Sequence, residues 1–168
     1  MLHISICDDE RIAVEKMQRI VENVLEQEHL LVKFENGEEF LKQYVIRDDE
    51  LVILDLDMPV KNGIDVLQEL EKIQRNEVVI LVTAYDNLAL KTFSYGPFQI
   101  VRKEQMEEDL PKAIGRFLNI RKRNQEELEF RIKGELIHVK LEDIVYFEKY
   151  KHQVYVHLAD QTVLTVRE

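Results

Sequence analysis

Apolar positions divide the chain into two regions with different periods. In the first, short continuous apolar runs alternate with stretches at helical spacing. Leu2–Cys7 predicts a buried strand, and Val14, Met17, Val21, Val24 and Leu25 then recur on one side of a helix. Leu30–Phe34 predicts a second strand, followed by a turn at Asn36-Gly37 and a helix through Phe40 and Leu41. Leu51–Leu54 predicts a third strand that ends among acidic residues and Pro59. After a turn at Asn62-Gly63, a helical stripe runs through Ile64, Leu67, Leu70 and Ile73. Val78–Val82, rich in β-branched residues, predicts a fourth strand. A short helix from Leu88 to Phe93, a fifth strand at Phe98–Val101 and a helix through Leu110, Ile114, Phe117 and Leu118 complete the region. Five strands alternating with five helices predict an α/β fold: a parallel, doubly wound sheet covered on both faces.

The pattern changes after residue 120. Residues 121–129 are charged, lack an apolar stripe, and either extend the last helix or link two domains. Beyond them Phe130/Ile132, Ile137/Val139/Leu141 and Val154/Val156/Leu158 alternate at period two, with turns expected at Lys133-Gly134 and Asp160-Gln161. The expected organisation is thus a domain over 1–120, a charged linker or helix extension over 121–129, and a short mainly-β segment over 130–168.

Charge sharpens this division. The 168 residues carry a net charge of −10, all of it in residues 1–119, whereas 120–168 hold nine basic and nine acidic residues. The acidic region repels nucleic acid, so any DNA contact must come from the second region. No apolar run approaches the ~20 residues of a membrane helix, so no membrane partner is expected. The single cysteine, Cys7, allows neither an internal disulfide nor a cysteine-based zinc site, which makes a reducing cytoplasm the expected location. Cys7 itself reads as a small buried strand residue.

The chemistry-bearing residues fall at strand ends. Asp8 and Asp9 follow the first strand, Asp55 the apolar part of the third, Thr83 the fourth and Lys103 the fifth. Ligands bind at the carboxyl ends of the strands in such sheets, so these residues converge. Each alone has a plainer reading: an aspartate can cap the next helix, Thr83 can be an ordinary strand residue, and Lys103 a solvated side chain. Together they make a coherent site. Crowded carboxylates repel one another unless a hard divalent cation such as Mg²⁺ sits among them. A lysine and a threonine hydroxyl suit the oxygens of a phosphoryl group in transit to a carboxylate nucleophile.

On Asp8-Asp9, Leu54-Asp55-Leu56-Asp57-Met58-Pro59, Asn62-Gly63, Thr83-Ala84 and Lys103, residues 1–120 resemble the CheY-like receiver domains of two-component response regulators. The resemblance implies a flavodoxin-like sheet, and Asp55 as the acceptor of a phosphoryl group from a sensor histidine kinase. It implies Mg²⁺ held by Asp8, Asp9, Asp55 and the backbone carbonyl of Asp57. Thr83, Ala84 and Lys103 would bind the phosphoryl group and move with it. The protein would then be no enzyme beyond its own phosphotransfer and dephosphorylation, and would form a homodimer on phosphorylation. Two positions depart from the family pattern. The aromatic switch position on strand five holds Ile100, and the proline that follows the lysine is replaced by Glu104. Asp57 and Tyr85 stand where the family tunes the lifetime of the phosphoryl group.

Leu141-Glu142-Asp143-Ile144-Val145-Tyr146-Phe147-Glu148, with Val154-Tyr155-Val156-His157-Leu158, resembles the opening half of a LytTR (LytR/AlgR-type) DNA-binding domain. That resemblance implies transcriptional control by a complete C-terminal domain, with Lys149, Lys151 and His152 in a DNA-contacting loop. The plainer reading of that loop is a solvated hairpin turn. Two alternatives to the response-regulator reading are a haloacid-dehalogenase-type phosphatase, suggested by Asp55-Leu56-Asp57, and a pseudo-receiver interaction module, suggested by Ile100 and Glu104.

Overall fold

A computed structural model describes residues 1–44, 51–73, 77–132 and 134–167. The chain forms two compact units, Met1–Gly115 and Arg116–Glu168. The first is built in the order β1 (Leu2–Cys7), α1 (Arg11–Val24), β2 (His29–Phe34), α2 (Gly37–Tyr44), β3 (Leu51–Asp55), α3 (Gly63–Ile73), β4 (Val78–Thr83), α4 (Asp86–Leu90) and β5 (Gln99–Arg102). The last helix, α5 (Met106–Asn124), begins in this unit and continues past it.

All strands of the first unit are parallel, in the order β2-β1-β3-β4-β5. The continuous apolar runs become the central strands: β3 is buried throughout, and β1 and β4 nearly so. The edge strands β2 and β5 are half-exposed. The helices cover the faces with their apolar stripes; α1 buries Ala13, Val14, Met17, Ile20 and Val21. Phe34, Phe40 and Tyr44 pack as adjoining rings, with centroids 5.4 Å and 5.0 Å apart.

Helix starts are set locally. Asn36 Oδ1 accepts the Glu39 N–H at 2.9 Å to cap α2. Asn62 and Asp65 exchange backbone-to-side-chain hydrogen bonds at 3.0 and 3.2 Å at the start of α3, a reciprocal cap.

Several boundaries differ from expectation. The expected helix from Leu88 to Phe93 is split: α4 stops at Leu90, and Phe93–Tyr95 forms a separate 3₁₀ turn ended by Gly96 at φ 59°. Asp55 and Thr83 close β3 and β4 rather than following them, and β5 is shifted one residue onward from Phe98. The charged stretch after residue 120 continues α5 as far as Asn124.

The second unit is antiparallel. The hairpin β6 (Glu127–Ile132) and β7 (Glu135–Lys140) pairs Leu128 with Val139 and Phe130 with Ile137. A separate three-stranded sheet has the order β10-β9-β8, from β8 (Ile144–Tyr150), β9 (Gln153–Leu158) and β10 (Val163–Arg167). Leu141 lies in a 3₁₀ turn rather than at the end of a strand. Strands β8 and β10 lack the alternation that predicts β6, β7 and β9. Of the two expected turns, Gln161 lies in one at φ 70°, and Gly134 lies in the other at φ 94°, with its neighbour Lys133 outside the described residues.

Candidate functional site

The strand order places the pocket. The chain steps from β1 out to β2 and back across to β3, so the carboxyl ends of β1 and β3 lie side by side at the switch in direction. Cys7 is in register with Leu54, which brings Asp8 beside Asp55. Asp8, Asp9 and Asp55 are, among the described residues, the group whose carboxylate oxygens lie within 4.8 Å of one another. Asp8 and Asp55 are buried and Asp9 is exposed.

Lys103, just beyond β5, closes the pocket from the opposite side. Its Nζ lies 2.9 Å from Asp8 Oδ2, 2.9 Å from Asp55 Oδ2 and 3.2 Å from Glu10 Oε1. The Asp55 carboxylate also accepts the N–H of Leu56 at 2.7 Å, and the Asp57 N–H. These bonds fix its orientation. The loop beneath it is closed by the Gly63 N–H on the Leu56 carbonyl at 3.1 Å. A Cβ at Gly63 would lie 2.2 Å from the Asp55 carbonyl oxygen, so only glycine fits there. Val60, three residues before the start of α3, holds a φ of 68°, a strained conformation for a β-branched residue.

Burial dominates the electrostatics. It raises Asp8 to a pKa of about 6 against the pull of Lys103, and Asp55 adds to the rise. Asp55 is raised for the same first reason, with Lys103 opposing. For Lys103 burial works toward a lower value, but the adjoining Asp8 and Asp55 carboxylates outweigh it and the ammonium is held more firmly than usual. Cys7, buried behind the pocket with its Sγ 3.6 Å from Met58 Sδ, is pushed far up by desolvation and is inert as a thiolate.

Thr83 is buried at the end of β4, and its Oγ1 accepts the Tyr85 N–H at 3.1 Å. Thr83, Ala84, Arg102 and Glu104 line a small cavity of about 110 Å³, and Arg102 pairs with Glu104 at 3.0 Å. Ile100 is partly buried and packs on the same core cluster as Leu88 and Tyr95. One contributor had no separate reading in the sequence. Glu10 stands next to the acidic pair but meets a lysine 93 positions away.

The second unit gathers less. Lys149 belongs to β8 rather than to a loop, because pairing with β9 continues to Tyr150 opposite Gln153. Lys151 and His152 make the tight turn that follows, with Lys151 at φ 54° and its Nζ 5.2 Å from the Tyr150 ring centroid. All three are exposed.

Residues 4–115 match the response regulator receiver domain family. Across its whole length the chain is 26% identical to the sensory transduction protein LytT of Bacillus anthracis, covering 71% of that protein. Over 67% of its length it is 31% identical to the positive alginate biosynthesis regulatory protein of Pseudomonas aeruginosa, covering 46% of it. The fold is similar to the crystal structure of a response regulator receiver domain protein from Clostridium thermocellum, with a TM-score of 0.62 and 26% identity over 73% of this chain and 98% of that one. Asp55 therefore closes a strand of a receiver sheet, with Leu56-Asp57 just after it, and the run is not a haloacid-dehalogenase motif. Among the described residues no helix is long and apolar enough to cross a membrane. On the parallel sheet and on the match over 4–115, the chain belongs to the response regulator receiver domain family.

Proposed function

We propose that this chain takes up a phosphoryl group on Asp55 from the phosphohistidine of a sensor kinase, and that the phosphorylated form controls DNA binding. The observation that carries the reading is the convergence of Asp8, Asp9, Asp55 and Lys103 at the carboxyl ends of β1, β3 and β5.

The donor set suits Mg²⁺. It is all oxygen, and the buried Asp8 Oδ2 makes no hydrogen bond of good geometry even with Lys103 Nζ 2.9 Å away. Asp8, Asp9 and Asp55 would hold the ion together with the backbone carbonyl of Asp57. When bound, Mg²⁺ supplies charge neutralisation for the incoming phosphoryl oxygens.

The chain's own groups do the rest. Asp55 is oriented by the Leu56 N–H, and one of its carboxylate oxygens attacks phosphorus. Lys103 is freed from part of its carboxylate partnership and turns to a phosphoryl oxygen. Thr83 turns to donate its O–H to another phosphoryl oxygen and in turning releases the Tyr85 N–H, which loosens the start of α4. With Ile100 on β5, no aromatic ring turns at that position. The signal leaves instead through the short α4 and the 3₁₀ turn behind it, which carries Tyr95; the Tyr95 hydroxyl accepts the Gln68 Nε2–H of α3 at 3.1 Å.

The second unit serves as the opening part of a LytTR-type DNA-binding domain, with Lys149 and Lys151 placed for phosphates and His152 for a base edge. The relatives' names, a sensory transduction protein and a biosynthesis regulatory protein, support a regulatory output, and transcriptional control, homodimerisation on phosphorylation and a cytoplasmic location belong to the same reading. The test is mass spectrometry of the full chain after incubation with acetyl phosphate and Mg²⁺. A single phosphoryl adduct that disappears in Asp55→Ala is expected. No adduct at any Mg²⁺ concentration would turn the reading to a pseudo-receiver.

A further inference from the structure

Lys103 does not face Asp55 alone. An ammonium has three N–H donors, and three carboxylates surround this one: Asp8 and Asp55 at 2.9 Å and Glu10 at 3.2 Å. The three differ in standing. The Asp8 and Asp55 side chains are 0% and 2% exposed, whereas the Glu10 side chain is 65% exposed.

Glu10 is also tied to the pocket through its backbone, whose N–H donates to Asp8 Oδ1 at 2.8 Å. It occupies the N-cap position of α1, yet its side chain caps none of that helix's N–H groups. Shorter side chains such as aspartate cap those groups at this position; the longer Glu10 carboxylate instead reaches a residue 93 positions away.

We propose that Glu10 is a positioning residue that holds Lys103 in the resting state and gates the entry of anionic phosphodonors. The inference rests on Asp55 being the phosphoryl acceptor. A phosphoryl oxygen must take one of the Lys103 donors, and Glu10 is the partner that yields it, because only its carboxylate is already largely hydrated. Until it yields, its charge adds to the acidic rim and repels a dianionic donor. With acetyl phosphate, a new P–O bond forms to an Asp55 carboxylate oxygen as the P–O bond to acetate breaks. Acetate leaves with the electron pair, and neither a proton nor an oxidant is required.

The experiment compares the full-length chain with Glu10→Gln and Glu10→Asp, following adduct formation by mass spectrometry with Mg²⁺ and acetyl phosphate at low and high ionic strength. Glu10→Gln keeps the backbone bond to Asp8 and the side-chain length, and it is expected to accelerate uptake about two- to fivefold at low salt, the range of an exposed ion pair. The advantage shrinks at high salt as the repulsion is screened. Phosphoramidate, which carries one charge fewer near neutral pH, gains less than acetyl phosphate, a difference that a purely structural role would not produce. Glu10→Asp retains the charge but is too short to keep the contact, so its rate falls between the other two. Unchanged or slower uptake in Glu10→Gln, with melting temperature intact and the wild-type adduct still lost in Asp55→Ala, overturns the gate and leaves the phosphoacceptor reading standing. Absence of any adduct in the wild type overturns both.

Discussion

The two units spend their apolar residues differently. In the first, parallel strands carry helices on both faces, so Phe34, Phe40, Tyr44 and the strands β1, β3 and β4 are almost wholly enclosed. Charge is then left to gather where the strands end, and the acidic pocket forms on a rigid frame. In the second, Val139 and Val156 are buried, but β8 presents Val145, Tyr146, Phe147 and Tyr150, each more than half exposed. An antiparallel sheet can leave one face to water, yet that face is ordinarily polar. The first unit encloses its large apolar side chains and gathers charge at one end of its sheet, and the second leaves several large side chains exposed.

The largest expected effect tests the enclosed side of this contrast. Phe40→Ala removes a fully buried ring from the Phe34–Tyr44 stack and should destabilise the chain by about 3–5 kcal/mol, measured by urea titration. A loss below about 1 kcal/mol would mean that the core is much looser than its burial indicates.

Next comes Gly63→Ala. The added methyl meets the Asp55 carbonyl and the Leu56 Cα, so a loss of about 1–3 kcal/mol is expected. Phosphoryl uptake should fall with it, because the displaced backbone carries Asp55, the proposed acceptor. Normal stability and uptake would show that the loop shifts freely.

Magnesium should act through pH. Asp8 is raised to about 6, and Asp55 is raised as well, so the native state holds these protons more tightly than the unfolded chain. Their contribution to metal-free stability is fullest below the ordinary carboxylate value and is lost as pH rises through about 4 to 6. The ion needs the deprotonated carboxylates, so its stabilising effect grows over the same window. At ten times its Kd it should contribute about 1.4 kcal/mol well above that window, and progressively less below it. Calorimetric scans with and without Mg²⁺ read this directly, and equal shifts at both ends would contradict it.

Val60→Gly should relieve the positive φ in the β3–α3 loop and stabilise by about 1 kcal/mol, part of the strain being offset by the freer unfolded chain. A thermal melt that moves downward would show that the Val60 side chain matters more than its backbone. The smallest effect belongs to the exposed side. Phe147→Ala is expected to change stability by less than about 1 kcal/mol, since its ring is half in water and touches Phe130 only loosely, at 6.4 Å between centroids. A loss as large as that of Phe40→Ala would erase the contrast between the two units.

Much of the first unit was legible in the amino-acid order, because a buried parallel strand must be continuously apolar and a covering helix must carry a stripe. Leu2–Cys7, Leu51–Leu54 and Val78–Val82 therefore announced the central strands, and the acidic residues and lysine at strand ends announced the pocket. The split between α4 and the turn at Phe93–Tyr95 did not show, since a run of five helical residues is too short for a period to declare itself. Strand β8 was hidden for a related reason: with large side chains exposed on both faces, it has no alternation to read.

What the sequence by itself determined is which residues can do chemistry and which segments must be buried, because side-chain charge and hydrophobic period are local properties. Only the tertiary structure decided who meets whom. Strand order and register set Asp8 beside Asp55, and the crossing from β5 brings Lys103 onto both and onto Glu10. Contacts across 48 and 93 positions depend on how the sheet is threaded, and no local pattern encodes that.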